Sequence, residues 1–135
     1  METKVITVGS AKTKDGQKRR PRIRLAKFWL EEIGFAADCL ATTEYAQGQI
    51  IIKRQGTGLD TYQNIVKQVR TSQTGLLQVK AELHNKKRTP HLEVKGFWLE
   101  ELGFSIGSVI VVQASYGLIK ILLLDLDKLT TRGLL

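Results

Sequence analysis

Phe28-Trp29-Leu30-Glu31-Glu32-Ile33-Gly34-Phe35 returns 69 positions later as Phe97-Trp98-Leu99-Glu100-Glu101-Leu102-Gly103-Phe104. Working outward, the same shift lays Pro21 on Pro90, Gly48 on Gly117, and Ile50 and Ile52 on Ile119 and Ile121. Over 21–52 against 90–121, 11 of 32 positions are identical, and Ile23/Leu92, Leu25/Val94 and Leu40/Val109 stay within the apolar class. Internal repetition of this kind decides architecture before any local pattern does. The chain is a duplication, and both Trp and all four Phe fall in matched pairs.

Each unit reads alike. A β-prone stretch opens it, Val5-Ile6-Thr7-Val8 or Leu76-Leu77-Gln78-Val79. A basic loop follows and ends at Pro21 or Pro90, since proline suits a turn or the first residue of a strand. Ile23-Arg24-Leu25 and Leu92-Glu93-Val94 alternate with the period of a half-buried strand. Trp29 to Ile33 and Trp98 to Leu102 predict one helical turn. Gly34 and Gly103 stand at its left-handed C-cap, and Phe35 and Phe104 fold back on Leu30 and Leu99. A second hairpin turns at Gln47-Gly48 or Tyr116-Gly117, where the glycine suits a type I′ turn.

A unit of about 45 residues is marginal on its own. Its last strand, Ile50-Ile51-Ile52 or Leu118-Ile119 with Ile121-Leu122-Leu123-Leu124, is apolar on both faces and needs a second layer. The predicted fold is therefore mainly β, with tandem ββαββ units closing on each other as an intramolecular pseudo-dimer. The boundaries are 1–53 for unit one, 54–75 for a linker with a helix capped by Asp60 and ended by Gly75, 76–125 for unit two, and 126–135 for a tail. The leucine-rich end, Leu122 to Leu135, is either a surface for pairing with a second chain or a trailing segment.

The 135 residues carry 21 Lys and Arg against 13 acids, a net charge of +8. The excess is concentrated. Residues 12–27 hold a net +7 in Lys12, Lys14, Lys18, Arg19, Arg20, Arg22, Arg24 and Lys27 against Asp15. Residues 80–95 hold a net +3, including Lys86, Lys87, Arg88 and Lys95, with His84 and His91 besides. Two basic runs at equivalent places point to phosphates as the partner, bound about a pseudo-two-fold axis and with strong salt dependence. The expected closure aims both loops at a common target.

One Cys and two His exclude a disulfide framework and the familiar zinc patterns, so no metal and no cofactor is expected. No apolar run reaches the roughly 20 residues of a membrane helix, and the polar start, Met-Glu-Thr-Lys, lacks a signal core; the expectation is a cytoplasmic protein with no membrane partner. Trp29, Trp98, Phe35 and Phe104 read as core in preference to stacking platforms. Glu31-Glu32 and Glu100-Glu101 read as solvated helix faces, because adjacent helical residues do not face one site.

The pattern Pro-x-Ile/Leu-x-Leu/Val, then Trp-Leu-Glu-Glu-x-Gly-Phe, then Gly-x-Ile-x-Ile resembles the SymE-like toxin family, related to the AbrB/MazE swapped-hairpin superfamily. The likeness covers about 32 residues per unit and is closer in unit two, through Lys95-Gly96-Phe97-Trp98-Leu99 and Gly107; unit one has Ala26-Lys27 and Asp38 there. The resemblance implies a swapped-hairpin fold and a small protein that binds DNA or RNA, as a toxin–antitoxin component or a DNA-binding regulator. It places the phosphate contacts on Lys18-Arg19-Arg20, Arg22 and Arg24, and on Lys86-Lys87-Arg88, His91 and Lys95. Two alternatives stay open: an RNA-cleaving toxin, in which His91 beside Lys86 and Arg88 is the place to look for a general base, and an antitoxin-like module whose target is a protein.

Overall fold

The computed structural model describes residues 2–69 and 74–124. The expected tail at 126–135 and most of the leucine-rich end lie outside the described residues. The protein is mainly β. In chain order its elements are β1 (Glu2–Thr7), β2 (Gly9–Lys12), β3 (Arg19–Ala26), α1 (Trp29–Glu32), β4 (Leu40–Ala46), β5 (Gln49–Gly56), α2 (Leu59–Val69), β6 (Thr74–Gln78), β7 (Lys80–His84), β8 (Lys87–Lys95), α3 (Trp98–Glu101), β9 (Val109–Ser115) and β10 (Leu118–Leu123).

The strands form two antiparallel sheets, ordered β1-β9-β10-β5-β4-β6 and β2-β3-β8-β7. Each repeat thus has three strands before its helical turn, not the expected two: the opening β-prone stretch supplies β1 or β6 of the larger sheet, and part of the segment expected as a loop forms β2 or β7 of the smaller one. Val8 and Val79 are the crossing residues and are almost fully buried. Each is held by the other half of the chain: Val8 N–H donates to Ser108 O (2.8 Å) and Gly107 N–H to Val8 O (2.8 Å), while Val79 N–H donates to Cys39 O (2.9 Å) and Asp38 N–H to Val79 O (2.8 Å).

Other bonds between the halves come in the same matched pairs. Gly48 N–H donates to Leu102 O and Gly117 N–H to Ile33 O, so each hairpin turn satisfies a carbonyl at the end of the opposite helical turn. Lys27 N–H donates to Pro90 O and Gly96 N–H to Pro21 O, both at 3.1 Å. β1 pairs with β9 from Glu2↔Ala114 to Thr7↔Val109, and β6 pairs with β4 from Thr74↔Glu44 to Gln78↔Leu40. At the centres of the sheets, β10 pairs with β5 and β3 with β8.

One core draws on both sheets. Ile23 and Leu25 from β3 and Leu92 and Val94 from β8 meet Ile50, Ile52, Ile110, Val112, Ile119 and Ile121 from the larger sheet. Leu30, Leu99, Phe35 and Phe104, all at 0% exposure, complete it. The helical turns end as the sequence predicts. Phe35 N–H reaches Leu30 O (2.7 Å) and Gly34 N–H reaches Glu31 O (3.0 Å), with Gly34 at φ 93°; Phe104 and Gly103 repeat the arrangement. This is the Schellman pattern, and it turns each phenylalanine back into the core.

Three local expectations change. Pro21 and Pro90 lie inside β3 and β8, not at their starts. A strand residue's N–H and C=O face the same neighbour, and Pro21 O accepts from Gly96, one residue past the end of the β3–β8 register at Lys95. The missing N–H therefore falls where the ladder has already ended. The second hairpins are not type I′: φ is positive at Gly48 (71°) and Gly117 (72°) but not at Gln47 or Tyr116. Asp60 lies within the first turn of α2, and Gly75 belongs to β6, facing Thr43 of β4. A Cβ at Gly75 would meet Thr43 Oγ1 at 2.5 Å, so glycine is there for close packing. α2 lies over β4, β5 and β6 and buries Ile65.

Candidate nucleic-acid interface

The two basic runs differ in how they turn. In unit two the tip is Asn85-Lys86, with φ 52° and 66°, between the paired residues His84 and Lys87; positive φ at both central residues is the type I′ geometry. In unit one the loop is longer. Thr13 N–H donates to Lys18 O (2.9 Å), and Gly16 takes a φ of 71°. The Asp15 carboxylate organises it, accepting from the Thr13 hydroxyl and from Gln17 N–H (2.9 Å). Those two bonds, the hydroxyl first, hold the Asp15 pKa below its usual value.

Lys12, Lys14, Lys18 and Arg19 are exposed at the first tip, and Lys86, Lys87 and Arg88 at the second. Arg19 Nε donates to Ser10 Oγ (2.7 Å). Arg88 lies 3.8 Å from Asp38, an exposed pair of little energetic weight. The two tips do not lie side by side, as the expected closure has them. β3 and β8 are antiparallel, Arg22 opposite Lys95 and Ala26 opposite His91. Their hairpin tips therefore sit at opposite ends of the four-stranded sheet, roughly 40 Å apart at about 3.4 Å per residue.

What joins them is the outward face of that sheet. Along β3, Arg20, Arg22 and Arg24 alternate with buried Pro21, Ile23 and Leu25. Along β8, Thr89, His91, Glu93 and Lys95 alternate with buried Pro90, Leu92 and Val94. Directly paired residues share a face, so β7 adds Lys80 beside His91 and Glu82 beside Thr89. β2 adds only Gly9 and Ala11, beside Arg22 and Arg20. The face thus carries Arg20, Arg22, Arg24, Lys80, Lys87 and Lys95 against Glu82 and Glu93, six cations to two carboxylates, net +4.

The carboxylates space the cations. Arg22 and Lys95 stand directly opposite, an unfavourable juxtaposition, and Glu93 lies between them at 4.0 Å from Arg22 Nη1 and 3.3 Å from Lys95 Nζ. Arg24 pairs with Glu82. The hydrogen bond from Arg24 is the main reason the Glu82 carboxyl titrates below the ordinary glutamate value. Arg20 Nε and His91 Nδ1 are buried nitrogens with no hydrogen-bond partner among the described residues.

The trio of His91, Lys86 and Arg88 is not gathered. Arg88 has the opposite parity to His91 on β8, and Lys86 is in the turn beyond it. His91 instead borders a cavity of about 260 Å³ with Gln78, Lys80, Glu93 and Lys95. Among the described residues, no three or more His, Cys, Asp or Glu side chains cluster as metal ligands.

The aromatic residues divide. Phe35 and Phe104 are core. Trp29 packs against the core with Lys4 Nζ 4.7 Å from its ring. Trp98 is 37% exposed, donates Nε1–H to Lys95 O (3.2 Å) and meets Tyr45 edge-on at 4.6 Å. Phe28 and Phe97, which no sequence pattern singled out, are each 46% exposed. A four-residue helix buries one stripe, and Leu30 and Leu99 occupy it; the preceding phenylalanine is left outside. Phe28 borders a second cavity of about 360 Å³ on the outward face, with Arg24, Ala26, Lys27, Glu82 and Thr89.

No helix among the described residues is long and apolar enough to cross a membrane. No protein-family model, curated protein or solved structure matches the chain.

Proposed function

We propose that this protein binds nucleic acid through the outward face of its four-stranded sheet, with the two basic hairpin tips extending that face at either end. The supporting observation is the alternation of Arg20, Arg22 and Arg24 with buried residues on a central strand. Three guanidinium groups fall by alternation on one side of the strand, with Lys95 opposite Arg22 and Lys80 and Lys87 farther along the same face. Phosphate contacts of this kind supply most non-specific affinity. In this reading the chain is an intramolecular pseudo-dimer of the swapped-hairpin type, and the exchange of β1 and β6 between halves favours it.

The test is fluorescence anisotropy with labelled DNA and RNA across a salt series, comparing the wild type with an Arg20→Glu/Arg22→Glu double variant. Affinity is expected to fall, and the slope of log K against log salt to become shallower by about 0.7–0.9 for each phosphate no longer neutralised. An unchanged affinity and slope would remove the proposal.

A further inference from the structure

Resting on that reading, we infer that the outward face is built for single strands, with Phe28 and Phe97 as stacking platforms for bases. Both rings are nearly half exposed, and the exposed part leaves apolar surface that a stacked base would remove from water. Phe28 and Ala26 line a cavity together with Arg24, Lys27, Glu82 and Thr89. An apolar surface flanked by two cations suits a nucleobase attached to a phosphate.

The backbone supports this placement. Lys27 takes φ 95°, a left-handed conformation that a lysine rarely adopts. Its equivalent in unit two is Gly96, at φ 143°, where a Cβ would strike the Trp98 ring at 2.5 Å. Unit one thus keeps a side chain where unit two excludes one, and that side chain is a cation beside Phe28.

The register supplies the rest of the track. The Lys27–Pro90 and Gly96–Pro21 bonds carry the β3–β8 pairing one residue past its register, and Phe28 and Phe97 follow at opposite ends of the central pair, each in helical conformation at the start of its turn. Between the two ends of the face run Arg20, Arg22, Lys95 and Arg24. A cationic strip bounded by aromatic planes binds single strands without reading sequence, because every base has a π face. In a duplex the base faces are already stacked, so the rings add nothing there.

The experiment uses the full-length chain with a fluorescein-labelled mixed-sequence 12-mer as single-stranded DNA, as single-stranded RNA and as blunt duplex DNA. Phe28→Ala and Phe97→Ala should each weaken single-strand binding roughly tenfold, the effect of losing one stacked base, and leave duplex binding unchanged. Phe28→Leu, which keeps apolar bulk but has no π face, should behave like Phe28→Ala, and Phe28→Trp should bind as tightly as wild type. The ratio of the DNA and RNA affinities tells the two strand chemistries apart. If the alanine and leucine variants bind single strands like wild type while Arg20→Glu/Arg22→Glu does not, the stacking inference is overturned and phosphate binding stands. If the charge variant also binds like wild type, or wild type binds none of the three, both readings fall.

Discussion

Truncating Phe35 to alanine tests whether the two halves of the chain form one body. The ring is fully buried, and its removal leaves a cavity in a core shared by both sheets. Phe→Ala at such a site costs about 3–5 kcal/mol, a large part of the roughly 5–15 kcal/mol that a domain has in total. With m near 2 kcal/mol/M, the urea midpoint should fall by roughly 1.5–2.5 M. The two tryptophans lie one in each repeat, so Trp98→Phe leaves Trp29 to report on unit one and Trp29→Phe leaves Trp98 to report on unit two. Because β1 pairs with β9, β6 pairs with β4, and the Gly48–Leu102 and Gly117–Ile33 bonds cross between halves, Phe35→Ala should shift both fluorescence transitions by the same amount. A Trp98 transition that keeps its wild-type midpoint while that of Trp29 moves would refute the shared core.

Gly34→Ala should destabilise by about 1–2 kcal/mol from its left-handed backbone alone, and further because the new Cβ meets Arg54 and Tyr116 at 3.0 Å. Gly16→Ala, at φ 71° with open space around it, should show only the backbone part; thermal melts compare them. Lys86→Gly should leave stability equal or raise it by up to about 1 kcal/mol, since it relieves a lysine at φ 66° in a turn that favours glycine. Glu82 titrates below its ordinary value when folded, so its contribution is full above that ordinary value and disappears as pH falls through the lowered one; Glu82→Gln should flatten that part of an acid-denaturation curve. Burial raises the Tyr45 pKa against the opposing Thr43 bond, so its contribution holds below about pH 10 and is lost as pH climbs through the raised value. Tyr45→Phe should remove that alkaline loss, as read by urea midpoints at about pH 9 to 11.

Much of the architecture could be read from the residues alone. The 69-residue repeat, the C-cap glycines followed by phenylalanine, and the alternation around Ile23 and Leu92 are local or pairwise signals, and each corresponds to an element of the structure. Gly75 could not be read in that way. As a sequence signal it resembles a helix terminator, and only the approach of Thr43 shows why no side chain fits. The exposure of Phe28 and Phe97 was not legible, because which face of a single helical turn is covered depends on how it packs on the sheets.

Which residues are cationic, which alternate, and that 21–52 recur at 90–121 could be read from the sequence alone, because composition, period and repeat are its own properties. It did not determine where two equivalent loops point. That depends on whether the central strands of the two copies run parallel or antiparallel, a choice made by long-range pairing between β3 and β8. Their antiparallel register sends the tips to opposite ends and leaves the arginines of β3 as the middle of the basic face.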